Sequence, residues 1–403
     1  MVAIAPLHRN RHFMPELIVT HAEELAYLWG RRRAAVSSDS LTLRDLQHLH
    51  ERIDAHLQGM LVAVAELPAL LGDWLASTDR DEVFAIACAL LRGGDAAHAA
   101  TVAAAFGSAS GARLLGLRDA LGAAPQIHTE TALHAALNGD DDARAAAAAA
   151  ALAGQRRIGA GEPALLRLLQ AEDPAVAEQA WRTLALLDGA GMPQPPYRDA
   201  VRRPQPGLRR VVLAAASWRG EAWVPQVARQ LAEGGDAVGL EHWAAVGDTA
   251  LQAPWANLLA ATPAPSRCAL LARSGHPDAI EALLALMAEP DPAAAAAAGT
   301  AFTRLTGLDV EGERRTLPVN ADADDFEREF APDVWLPDAA RAQQLWNRHH
   351  AQWRGGRRWC RGHEVSATLS TAAQASIDLA ARWDFGMRAA LAGARLMAPP
   401  PVV

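Results

Sequence analysis

Gly275-His276-Pro277-Asp278-Ala279-Ile280 opens a stretch that closes on Glu289-Pro290-Asp291-Pro292, and what lies between and beyond them decides the fold. Ile280, Leu283, Leu284 and Met287 fall at i, i+3, i+4 and i+7, one apolar stripe along a helix. After Pro292 a second stripe follows in Ala294, Ala297, Ala298, Ala301, Phe302 and Leu305. Proline suits a first helical turn, where its missing N–H is not needed. The same arrangement stands earlier, with Asp173-Pro174 followed by Ala177, Ala180, Trp181 and Leu184. Working outward, turn-like junctions recur at Asp79, Ser110, Asp141, Asp173, Pro206, Asp236, Pro265 and Asp291, in steps of 26 to 33 residues. Two helices of about 11 residues with two turns need that length.

Such helical pairs cannot bury their stripes alone, so they stack on their neighbours. The expected fold is all-α: an α-solenoid of short HEAT-like helical-hairpin repeats with a small helical C-terminal cap. HEAT and armadillo units are longer, about 40–47 residues, so a compact bacterial HEAT-like unit is the better comparison. Composition agrees, being 51% hydrophobic but only 5% aromatic, with much of the apolar content in alanine. Alanine favours helices that approach one another closely.

Four segments are expected. Residues 1–68 form an N-terminal helical pair. Its first helix begins at the capping-box pattern Thr20-His21-Ala22-Glu23, and its second follows Ser40 with Leu43, Leu46, Leu49, Ile53 and Leu57 on one face. Residues 69–308 form the HEAT-like array, ending near Gly307. Residues 309–333, with nine acidic residues against three Arg, read as an acidic linker or loop. Residues 334–403 form a Trp/Arg-rich cap with helices over about 338–352 and 370–393 and turns at Gly355-Gly356 and Gly362.

The net charge is −8, and all 38 basic residues are Arg. Phosphate neutralisation supplies most nucleic-acid affinity, so the balance disfavours a nucleic-acid partner. Cys88, Cys268 and Cys360 lie far apart with no CxxC pair, which indicates neither a disulfide framework nor a zinc knuckle. No run of about 18 apolar residues suggests a membrane span, and the N-terminus lacks a signal-peptide core. A soluble, cytoplasmic protein is expected.

The histidines offer no usable metal spacing. His349 and His350 would point about 100° apart on a helix, His363-Glu364 lacks a second histidine, and His48, His50 and His56 sit among charged residues on one helix. Phosphate-binding glycine motifs and a nucleophile elbow are missing. No catalytic residue, cofactor or metal is therefore expected. Tryptophan is in excess, with twelve against two Tyr. Most should fill gaps that so much alanine leaves. Trp and Arg are also the residues of interaction hot spots. The candidate protein-interaction residues are Trp346, Trp353, Arg354, Arg357, Arg358, Trp359 and Arg361, with Trp218, Trp223 and Trp243.

Both ends of the chain resemble a known family. His21-Ala22-Glu23-Glu24-Leu25-Ala26-Tyr27-Leu28-Trp29, then Leu43-Arg44-Asp45-Leu46 and Glu51-Arg52-Ile53-Asp54-Ala55-His56-Leu57, are similar to the start of a bacterial HEAT-repeat family found near type VI secretion genes. Ala301-Phe302-Thr303-Arg304-Leu305-Thr306-Gly307-Leu308-Asp309 resembles its last repeat. Trp335-Leu336-Pro337-Asp338, Trp346 and Arg357-Arg358-Trp359-Cys360-Arg361-Gly362 resemble its C-terminal block. The resemblance implies a non-catalytic adaptor that holds or loads an effector onto the secretion spike, with an effector or spike component as its protein partner. It brings no catalytic residues with it. The alternatives are an immunity protein that wraps a toxin, or a HEAT-like enzyme of the bilin-lyase or DNA-glycosylase kind.

Overall fold

The computed structural model describes residues 13–125, 127–187, 195–248, 253–318, 324, 326, 329–353, 356–366 and 368–401. The chain is mostly helical and divides into two compact units. One holds residues 1–37, 45–215 and 399–403; the other holds 38–44 and 216–398. This grouping differs from the four sequence segments. It divides the expected array between Ala215 and Ala216, joins its later part to the C-terminal block, and takes Ser38–Arg44 away from the N-terminal pair. No helix among the described residues is long and apolar enough to cross a membrane.

The helices of the first unit are α1 (Pro15–Ala35), α2 (Leu43–Leu61), α3 (Leu67–Leu71), α4 (Arg80–Arg92), α5 (Ala96–Ser108), α6 (Gly111–Ala123), α7 (Ile127–Leu137), α8 (Asp142–Gly154), α9 (Pro163–Leu168), α10 (Pro174–Leu186), α11 (Tyr197–Arg202) and most of α12 (Pro206–Trp218). They pack in a regular order. α1, α4, α6, α8 and α10 each lie against the next in that series, while α5 lies on α7 and α9 bridges α8 and α10. Alanine makes the close approach possible. Every residue from Ala145 to Ala153 in α8 is buried, because the helix is covered by α6, α7, α9 and α10. The larger side chains fill the end of the series, where Trp29 stacks on Phe84 with centroids 3.6 Å apart.

The second unit contains α13 (Val224–Glu233), α14 (Ala237–Val246), α15 (Ala253–Ala260), α16 (Ala264–Ser274), α17 (Ile280–Met287) and α18 (Pro292–Thr306). Here α14, α16 and α18 form a second series, with α13 on α14 and α17 on α18. Trp243, Ile280, Leu283, Phe302 and Leu305 anchor its core. Beyond α18 come β1 (Glu311–Thr316), β2 (Asp333–Pro337), α19 (Ala339–His349), β3 (Trp359–Cys360), β4 (His363–Glu364), α20 (Thr371–Ser376) and α21 (Leu379–Leu391). Strands β1 and β2 pair antiparallel with a bulge between Glu311 and Arg314, and β3 pairs with β4.

All eight junction residues stand at helix starts. Asp79, Asp141, Asp173, Asp236 and Asp291 accept N–H bonds from the first turn, and Ser110 holds the residue before α6. Pro206 opens α12, and Pro265 sits in the first turn of α16. Each aspartate cap contributes roughly 1 kcal/mol.

Three sequence expectations are corrected. α1 begins at Pro15, and Thr20 lies inside it with its hydroxyl donating back to Glu16 O. Proline at the first position and Glu16 in the first turn start the helix a turn and a half earlier. The acidic stretch 309–333 contains β1, whose partner lies beyond the intervening residues. The helix expected over 370–393 is broken at Ile377-Asp378, because Asp378 turns extended and caps α21 through Ala381 N–H.

Candidate functional site

The Arg/Trp-rich block folds onto the C-terminal ends of α14, α16 and α18 within the second unit. Such ends carry carbonyls without intrahelical partners and the negative pole of the helix dipole, and guanidinium groups answer both needs. Arg358, 7% exposed, donates to Ala244 O at 2.8 Å, to Ser274 O at 2.7 Å and to Gly247 O. Arg388 on α21 donates to Ala245 O at 2.7 Å and to Val365 O at 3.1 Å. The backbone contributes as well: Trp359 N–H reaches Gly275 O at 2.7 Å, and Arg361 and Gly362 N–H reach Arg304 O and Leu305 O at 2.6 and 3.0 Å. Gly307 and Gly362 both have left-handed φ, +72° and +75°. Their approach leaves no room for a side chain, since a Cβ on either would stand 2.7 Å from a carbonyl oxygen of the other strand of chain.

Two buried carboxylates complete the seam. Arg304 holds Asp378 through two bonds of 2.8 and 3.0 Å, and Arg273 holds Asp384 at 2.8 and 2.9 Å. Such bidentate pairs fix geometry as well as charge. Burial alone would raise the Asp384 carboxyl, but Arg273 beside it keeps it below its usual range. Burial, then Arg388 nearby, pushes Arg358 down to about 9. The Cys360 thiol, whose Sγ lies 3.4 Å from Asp378 Oδ2, is pushed up to about 12 by burial and then by that carboxylate. It is a poor nucleophile on that account.

The arrangement has little room for a ligand. The cavity lined by Arg273, Arg304, Arg358, Cys360, Asp384 and Arg388 measures about 10 Å³, on the scale of one water molecule. Ser217 Oγ lies 2.9 Å from His242 Nε2, a pairing that resembles a nucleophile with its base. Both residues are buried, and burial followed by Arg273 pushes His242 down to about 3, far below what a general base requires. Among the described residues no group of three or more His, Cys, Asp or Glu could hold a metal ion.

The ten interaction candidates are therefore dispersed. Trp218, Trp243, Trp353 and Arg358 are buried. Trp218 packs against Gly386, and Trp243 meets Trp255 edge-on at 5.5 Å. Trp223 is half-buried and donates to Glu221 at 3.0 Å. Trp346 stacks on Trp353, centroids 5.5 Å apart, and donates to Glu281 at 3.1 Å. Trp359 is a half-buried strand residue. Arg361 donates to Ser40 O and Ser376 O, and Arg357 pairs with Glu364 at 3.0 Å. Arg354 lies outside the described residues.

Arg273, Arg304, Asp378, Asp384 and Arg388 escaped the sequence reading. One signal was present: Arg273 and Arg304 each stand two or three residues before a helix-ending glycine, Gly275 and Gly307. No family model matches the chain, and no curated protein matches it either.

Proposed function

We propose that this chain is an α-solenoid of short HEAT-like helical pairs acting as a non-catalytic, protein-binding scaffold. The series α1–α4–α6–α8–α10 and α14–α16–α18, each with shorter helices laid beside it, support the repeat reading. The family resemblance then suggests an accessory role in type VI secretion, with an effector or spike component as partner. The observation that carries partner binding is the stretch after α18. Phe326, Phe330 and Trp335 are 67%, 65% and 53% exposed, in a segment whose acidic excess stands at nine against three. Contiguous exposed aromatic side chains mark contact surfaces, and the Phe326 and Phe330 rings lie side by side with centroids 4.5 Å apart. A partner presenting a basic and apolar face fits that chemistry.

The test is co-expression with the effector and spike proteins of a secretion cluster, followed by affinity capture. One of them should be retained, and Phe330→Ala with Trp335→Ala should weaken its binding about thirty-fold, as loss of hot-spot residues does, with unchanged helical circular dichroism. Capture of none, or binding indifferent to both substitutions, would overturn the reading.

A further inference from the structure

The seam between α1 and α2, within the first unit, is built from histidines that face other bases. His21 and His56 meet Nδ1 to Nδ1 at 3.1 Å, their rings edge-on with centroids 5.2 Å apart. Gly59 makes this possible, since a Cβ there would stand 2.6 Å from the His21 ring. A turn and a half away on α2, His50 Nε2 accepts a bond from Arg32 Nε at 2.8 Å. Arg32 itself is fixed over the Trp29 ring, 4.6 Å from its centroid.

These contacts dictate protonation states. A guanidinium only donates, so His50 Nε2 must present a lone pair and His50 must be neutral. The Nδ1–Nδ1 contact needs one donor and one acceptor, so His21 and His56 can carry one extra proton between them but not two. The other charged groups facing this seam are Glu24 on α1 and Arg52 on α2, 3.7 Å apart. From the elements packed on α1, Asp81 of α4 is engaged by Arg33, and Asp119 of α6 by Arg80 and Arg118. Glu24 favours a proton on His56, but burial and His21 outweigh it. Meanwhile α2 is lightly anchored, for only Leu46, Leu57 and Met60 of its 19 residues are buried.

We propose that α2 is an acid-released arm, held on α1 at neutral pH by neutral His50 and by a His21–His56 contact that has room for one added proton and not two. Protonating His50 places two cationic donors face to face, and a second proton on the pair does the same. Release would bare the apolar strip of Leu46, Leu57 and Met60. The directions of titration agree. Burial and then Arg32 lower His50, and burial and then His21 lower His56. A histidine lowered in the docked state binds its proton more readily in the released one. Docking is thus at full strength above the ordinary imidazole value of about 6.5, and weakens as pH falls below it.

Hydrogen–deuterium exchange on the full chain tests this, with rates corrected for intrinsic pH dependence. Between pH 7.5 and 5.0, protection over residues 43–61 should fall at least ten-fold, as about 1.4 kcal/mol of linkage supplies, while α4, α6 and α8 keep theirs. His50→Gln with His56→Asn retains acceptors without the titration and should hold protection within about two-fold at pH 5.0. If that variant fails to fold, Arg32→Gln serves, and its release should move to lower pH. The proposal is overturned by equal protection of α2 at both pH values, by a fall shared with α4–α8, or by variants that respond as the parent does.

Discussion

At the scale of single residues, arginine carries the chemistry of the C-terminal block, and it does so inwardly. Arg358 ties three carbonyls from the ends of α14 and α16. Replacing it with methionine would keep much of the volume but leave buried acceptors without donors, at roughly 1–3 kcal/mol for each one that water cannot reach. Arg358→Met should therefore lower unfolding stability by about 3 kcal/mol in urea titration, whereas Arg357→Met, removing a half-exposed pair with Glu364, should cost under about 1 kcal/mol. Equal effects would mean that Arg358 does not cap those helices. The sequence showed that Trp and Arg were concentrated here but not which way they faced. Arg358 and the carbonyls it serves are separated by more than 80 residues, and a helix end advertises its need for donors only once another segment has come to rest against it. Local spacing therefore marked Arg358 and Arg361 as surface residues as readily as internal ones.

At the scale of elements, local chemistry was far more legible. An aspartate followed by a helical stripe marks a start because its carboxylate meets the first-turn amides, and Asp79, Asp141, Asp173, Asp236 and Asp291 all do so. Strand β1 was not legible. Glu311-Gly312-Glu313-Arg314-Arg315-Thr316 has no apolar alternation, all six residues are exposed, and its pairing is set by β2, seventeen residues from Thr316 to Asp333. The alanine content, by contrast, makes a quantitative claim on α8. Ala148 is fully buried where four helices crowd one, so three added carbons have nowhere to go without displacing backbone. Ala148→Leu should destabilise the protein by about 1–3 kcal/mol. Ala100→Leu on the exposed face of α5 should stay within about 0.5 kcal/mol. A neutral Ala148→Leu would show that the helices around α8 can separate, and that alanine there is not a spacing requirement.

At the scale of the whole molecule, charge decides between a protein-binding and a nucleic-acid-binding reading, because a mostly helical chain can serve either. The chain is −8 overall, but a net value does not forbid a local basic groove, so the question turns on where the arginines are spent. The densest basic stretch, residues 341–361, has six Arg and no acidic residue. Arg358 within it is buried against carbonyls, Arg361 is held by Ser40 and Ser376, and Arg357 is paired with Glu364. Elsewhere Arg80, Arg118, Arg273 and Arg304 are bound to buried Asp119, Asp384 and Asp378. Cations committed in this way cannot release counterions from a phosphate backbone, which is the main source of non-specific affinity. Duplex DNA should therefore show no retardation by the purified chain at about 20 mM salt, where such binding is strongest. Retardation that vanishes by about 200 mM salt would demand several free phosphate contacts, more than the exposed Arg341 and Arg348 supply among the described residues of this block. It would turn the functional reading from a protein scaffold toward a glycosylase-like groove.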